Sequence, residues 1–167
     1  RYTPTAVRNR ALIAVLYRSG LRISEALALY PKDIDFTSGA IRVLHGKGDK
    51  SRTVGIDPGA IEYVQQWLVV RQRWSVNGCH PIFCSRSGQQ LGEGYIRRLF
   101  PDLGRKADIQ KRVHPHGLRH THAAQLREEG IDVGIISKQL GHVSIATTAR
   151  YLDHIAQCRC PTYQSIQ

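Results

Sequence analysis

Between Asp33 and Ile56 the apolar residues change period, and that change limits the folds open to this chain. Ile34 and Phe36 alternate with Asp33 and Asp35, and Ile41 and Val43 flank Arg42. Val54 and Ile56 resume the alternation after the turn-rich stretch His45-Gly46-Lys47-Gly48-Asp49-Lys50. A period of two marks extended chain with one buried face. The spacing predicts three short antiparallel strands, the last two joined by a basic, glycine-rich hairpin.

On both sides of this block the period is helical. Val7, Leu12, Val15 and Leu16 define a helix over 5–18, with Gly20 as its stop. Ser24 is a good N-cap for a second helix through Leu29, closed by Pro31. Pro58 opens a longer helix whose stripe is Ile61, Val64, Leu68 and Val69, ending near Trp74. Residues 75–90 read as irregular, with a short apolar piece at 81–84, and a helix over 94–106 buries Tyr95 and Leu99. Helices over 116–129, stopped by Gly130, and 133–140, stopped by Gly141, are followed by one carrying Thr147 to Ile155. The expected fold is mostly α with a small three-stranded antiparallel sheet, an α+β arrangement forming a single domain over 1–167.

Charge narrows the partners. Lys and Arg number 24 against 13 for Asp and Glu, a formal +11. Such a surplus favours a polyanion, because neutralising phosphates releases condensed counterions. No apolar run approaches the roughly 20 residues of a membrane-spanning helix, so no membrane partner is expected. Cys79, Cys84, Cys158 and Cys160 match no common zinc spacing, and free thiols in a reducing cytosol are expected. The chain has no Met and begins at Arg1, and it reads as a fragment of something longer.

Several short motifs place chemistry-bearing residues at helix starts and turns. In Pro115-His116-Gly117-Leu118-Arg119-His120, His116 and Arg119 share one helix face and can converge on one anionic target. Arg22, in Gly20-Leu21-Arg22-Ile23-Ser24-Glu25, sits at a tight turn with Glu25 three residues on to hold its guanidinium. Lys47 lies between two glycines at the hairpin tip, with Lys50 and Arg52 following on the same ribbon. Leu140-Gly141-His142 precedes Tyr151 by nine residues, counted from His142. Each feature alone fits a solvated basic surface or, for Tyr151, an aromatic packed on the core.

Together, the ordered set Gly-Leu-Arg, Gly-Lys-Gly, His-x-Leu-Arg-His, Leu-Gly-His and a later Tyr resembles the catalytic domain of the tyrosine recombinases. This family includes phage and mobile-element integrases. The resemblance implies that Arg22 and Arg119 clamp a scissile phosphate, and that His116 accepts the Tyr151 proton or helps position that phosphate. Lys47 would protonate the leaving 5′-oxygen, with Lys50 as a second candidate. His142 would hydrogen-bond a phosphate oxygen, and Tyr151 would attack phosphorus to form a 3′-phosphotyrosyl link. Glu25, His120 and His154 would support the site, and Lys50 and Arg52 would contact DNA. Tyr163 is a rival nucleophile only if the spacing from His142 is a coincidence.

The chemistry is consistent with these roles. Extra negative charge on the non-bridging oxygens of a phosphodiester transition state is stabilised by preorganised Arg and His donors. A phenol of pKa near 10 needs a base or a strong cationic field to attack at neutral pH. Two Arg and a Lys can replace metal ions, and neither a metal nor any other cofactor is expected. The implied partner is double-stranded DNA in the cytosol, with the parent forming a homotetramer on it and the isolated domain monomeric. No segment resembles the family's core-binding domain. Two rivals remain: a tyrosine-class topoisomerase, and a non-catalytic DNA-binding module using 133–155 as a helix-turn-helix.

Overall fold

A computed structural model describes residues 2–44, 51–74 and 76–141. The first helix, α1 (Pro4–Ser19), is capped at its start by Thr3 and stopped by Gly20, whose φ of 65° is left-handed. The next helix, α2 (Ile23–Leu27), starts two residues earlier than Ser24 capping would place it. Arg22 is its N-cap, and the Glu25 carboxylate accepts from the Arg22 amide, taking the place of a Ser24 cap.

The strand block forms as its pattern requires. Strands β1 (Ile34–Asp35), β2 (Ala40–Val43) and β3 (Arg52–Gly55) pair antiparallel in the order β1-β2-β3. Ile41 faces both Ile34 and Val54 in register, so the apolar positions share one face. Val43 pairs with Arg52, which closes the ladder on either side of 45–50.

Helix α3 (Pro58–Arg71) packs on α1, with Asp57 as its N-cap. Val69 does not belong to its buried stripe: it is 61% exposed, and the fully buried Trp67 fills the core. The Trp67 indole N–H donates to the Ile82 carbonyl at 2.7 Å, satisfying the polar edge of a ring that is otherwise apolar. Arg71 donates to the carbonyls of Pro81 and Asn77, and Arg8 to that of Cys84. Buried guanidiniums thereby hold the irregular 76–84 stretch, whose Ile82, Phe83 and Cys84 reach the core.

Helix α4 (Glu93–Lys106) buries Ile96 and Phe100, one position on from the expected Tyr95 and Leu99, which are half-buried. The displaced Tyr95 keeps its hydroxyl at the core edge, where it accepts from Arg8 at 3.1 Å. Helix α5 (Pro115–Glu128) is capped by His114, and α6 (Val133–Leu140) is stopped by Gly141. A small cluster of Ala123, Ile136 and Leu140 joins α5 to α6. The expected helix around 147–155 lies outside the described residues. Among the described residues, no helix is long and apolar enough to cross a membrane.

Candidate active site

The left-handed turn at Gly20 brings the start of α2 against the start of α5. A side chain at Gly20 would place its Cβ 2.5 Å from the His122 ring, so the turn requires glycine for room as well as for φ. Arg119, on the first turns of α5, is 2% exposed. It donates to the Gly20 carbonyl at 2.6 Å and to the Leu140 carbonyl. Arg22 donates to the next carbonyl, that of Gly141, at 3.3 Å. The two arginines thus grip consecutive carbonyls at the end of α6, immediately before His142 in the chain.

Glu25 organises the other side of Arg22. Its carboxylate is 2% exposed and accepts from Arg22 Nη1 at 2.8 Å. Burial opposes its charge, but hydrogen bonds from Arg52 and from the Arg22 amide prevail and hold it below the ordinary carboxylate range. Arg52, expected on the DNA-facing ribbon, turns inward. It is 14% exposed and forks onto Glu25, Nη1 to Oε1 and Nη2 to Oε2, each at 2.9 Å. Strand period explains the inversion: Arg52 is paired opposite the buried Val43 at the loop end of the hairpin, on the sheet face it shares with Val54, and from there it reaches Glu25 on α2.

The Arg22 and Arg119 side chains line a cleft of about 550 Å³ together with Arg97, Arg112, His114 and His116. His116 is exposed at the cleft, and its ring meets that of His120 edge-on, with centroids 4.4 Å apart. Desolvation by the cleft walls, then the charges of Arg119, His114 and Arg22, push the His116 pKa below its ordinary value. A neutral imidazole at physiological pH has a lone pair that can take a proton.

Of the expected site residues, Arg22, His116 and Arg119 share this cleft, with Glu25 and His120 in contact with them. Lys47, Lys50, His142, Tyr151 and His154 lie outside the described residues, as do Tyr163, Cys158 and Cys160. Arg97, Arg112 and His114 were not singled out from the sequence. The signal was there for two of them: Arg112 and His114 immediately precede Pro115, and a basic cluster at a helix start suits an anion. Cys79 and Cys84 are free thiols, and no metal-binding group of His, Cys, Asp and Glu occurs among the described residues.

Residues 1–157 match the phage integrase family. The chain belongs to this family. Its relatives include the tyrosine recombinase XerC of Proteus mirabilis, 36% identical over 148 residues, covering 89% of this chain and 48% of that protein. XerC of Vibrio campbellii is 34% identical over 158 residues, covering 92% of this chain and 50% of that protein. The chain spans about half the length of these relatives.

Structures of family members share the fold. The XerA recombinase superposes with a TM-score of 0.81 at 34% identity, covering 92% of this chain and 57% of that one. XerH, a site-specific recombinase bound to palindromic difH substrate in a post-cleavage complex, gives 0.79 at 30% identity, covering 94% and 45%. The mostly helical architecture with its small antiparallel sheet is that of a tyrosine recombinase catalytic domain.

Proposed function

We propose that this chain is the catalytic domain of a site-specific tyrosine recombinase, breaking and rejoining double-stranded DNA through Tyr151. The observation that carries the proposal is the convergence of Arg22, His116 and Arg119 on one basic cleft, next to the carbonyls that lead into His142. Two guanidiniums held by fixed partners form a preorganised field for a phosphate whose charge grows in the transition state.

In the proposed cycle the Tyr151 oxygen attacks phosphorus, forming a 3′-phosphotyrosyl bond as the bond to the 5′-oxygen breaks. Neutral His116 takes the phenolic proton or helps hold the phosphate, and Lys47 or Lys50 gives a proton to the leaving oxygen. His142 bonds a phosphate oxygen, and His120 and His154 support the site. The phosphotyrosyl ester keeps the bond energy, and a free 5′-hydroxyl attacks it to reseal a strand. A homotetramer on DNA in the longer parent protein, with the isolated domain monomeric, completes the proposal.

Support for DNA as partner comes from the formal +11 charge and from XerH, a relative described in complex with its DNA substrate. A nicked suicide duplex bearing a candidate site, incubated with the protein in chelator, tests the reading. The expected result is a denaturation-resistant protein–DNA adduct that is lost with Arg119→Ala. Adduct formation that persists at full rate in Arg119→Ala would sink the assignment of the cleft.

A further inference from the structure

Arg52 is a basic residue beside the proposed hairpin, yet its guanidinium faces the protein. Its fork takes both oxygens of Glu25, and its Nε points at the Gln139 carbonyl at 3.4 Å. The guanidinium also lies close against Gly141. A Cβ at Gly141 would fall 2.7 Å from Arg52 Cζ and 2.8 Å from Nε. Three elements therefore meet on one side chain: β3, which carries Arg52; α2, through Glu25; and the end of α6, through Gln139 and Gly141.

The same two partners are those of Arg22, which donates to Glu25 and to the Gly141 carbonyl. We propose that Arg52 is a positioning residue for strand cleavage, clamping Glu25 and the Gly141 turn so that Arg22 is held in its phosphate-binding orientation. This rests on the reading that Arg22 binds the scissile phosphate. A lysine does not substitute, because a single ammonium lacks the planar fork that bonds both carboxylate oxygens while a third donor meets a carbonyl. Turning Arg52 outward to DNA would leave Glu25, almost fully buried, with Arg22 as its one cationic partner among the described residues.

The test compares the 167-residue protein with its Arg52→Lys and Arg52→Ala variants. Two properties are read: single-turnover cleavage of suicide DNA at saturating protein, and DNA affinity across a salt series. A positioning role predicts a cleavage rate lower by about 10- to 100-fold in both variants, with Arg52→Lys failing to rescue. The slope of log affinity against log salt stays unchanged. The proposal is overturned if Arg52→Ala cleaves at the wild-type rate when saturated, whatever its melting temperature. It is equally overturned if the salt slope drops by about one while Arg52→Lys keeps full activity, the mark of a phosphate contact.

A second readout does not depend on catalysis. The Glu25 carboxyl titration, followed by carbon-13 NMR, shifts upward in Arg52→Lys if the clamp holds, and an unchanged midpoint overturns it. Wild-type protein that forms no adduct on any DNA would refute the functional reading, while this titration still decides the clamp. Should Arg52→Ala fail to fold, Arg52→Lys retains the charge and the aliphatic stem and carries the test alone.

Discussion

His122 makes the stability of this protein depend on pH in a way that a single substitution isolates. It lies one turn beyond Arg119 on α5, buried against Gly20, and its Nε2 has no hydrogen-bond partner among the described residues. Burial first, then the charges of Arg18 and Arg119, lower its pKa from 6.5 to about 4, with Asp57 acting weakly in the opposite sense. The folded state therefore keeps the imidazole neutral where the unfolded chain protonates it. Because the unfolded state binds more protons between pH 6.5 and about 4, stability is retained above that window and falls as pH drops through it.

Integrating the two titrations from pH 7 to pH 5 assigns about 2 kcal/mol of that loss to His122 alone. Other groups titrate too, so the informative quantity is a difference. Urea unfolding near pH 7 and pH 5 is measured for the wild type and for His122→Phe, which keeps a ring and removes the titration. The wild type is expected to lose about 2 kcal/mol more than the variant, or about 1 M in urea midpoint at a typical slope. Equal losses in both proteins would refute the argument that a neutral, buried His122 supports the Gly20 turn.

Glu25→Ala leaves Arg22 and Arg52 facing each other without their shared anion. Chemical denaturation should show a loss of about 3 kcal/mol, with a smaller loss for Glu25→Gln. Since the folded pKa of Glu25 lies below its ordinary value, its contribution is present above the unfolded pKa and fades as pH falls through the folded one. At Gly141, φ is 66° and Arg52 lies against the backbone, so Gly141→Ala should cost about 1–2 kcal/mol by thermal denaturation. Arg112→Gln should weaken DNA binding by a similar factor on every sequence and lower the salt slope by about one, as read by fluorescence anisotropy.

The helices and strands were legible because their apolar residues repeat at helical or strand periods in short segments with clear stops. Gly20, Gly130 and Gly141 all take the left-handed conformation that their positions at helix ends called for. Which residue of a pair faces inward was less legible. Tyr95 and Ile96 are neighbours of similar bulk, and only the third dimension shows that Arg8 draws Tyr95 to the core edge. Val69 is exposed while Trp67 fills the core, where the Ile82 carbonyl, 15 residues away, offers the indole a partner.

The cleft was legible in part. A His-x-x-Arg at a helix start and an Arg three residues before a Glu carry their geometry in their spacing. Arg52 does not, since a basic residue after a glycine-rich turn has the same local pattern whether it faces solvent or a buried carboxylate. Its partner lies 27 residues earlier in the chain. Gln139 was equally silent: it bridges the Ser19 and Gly55 carbonyls and so ties α6 to both α1 and β3.

The central claim is that Tyr151 becomes covalently joined to DNA, and the sequence makes that claim simple to read. Trypsin cuts after Arg150 and Arg159, so Tyr151 and Tyr163 fall in separate peptides. Suicide-substrate adduct, digested with nuclease and then trypsin, goes to mass spectrometry. The account predicts a nucleotide linked through its 3′-phosphate to the peptide 151–159, and no adduct at all from Tyr151→Phe. A nucleotide on the peptide 160–167, or an adduct that survives in Tyr151→Phe, would contradict it.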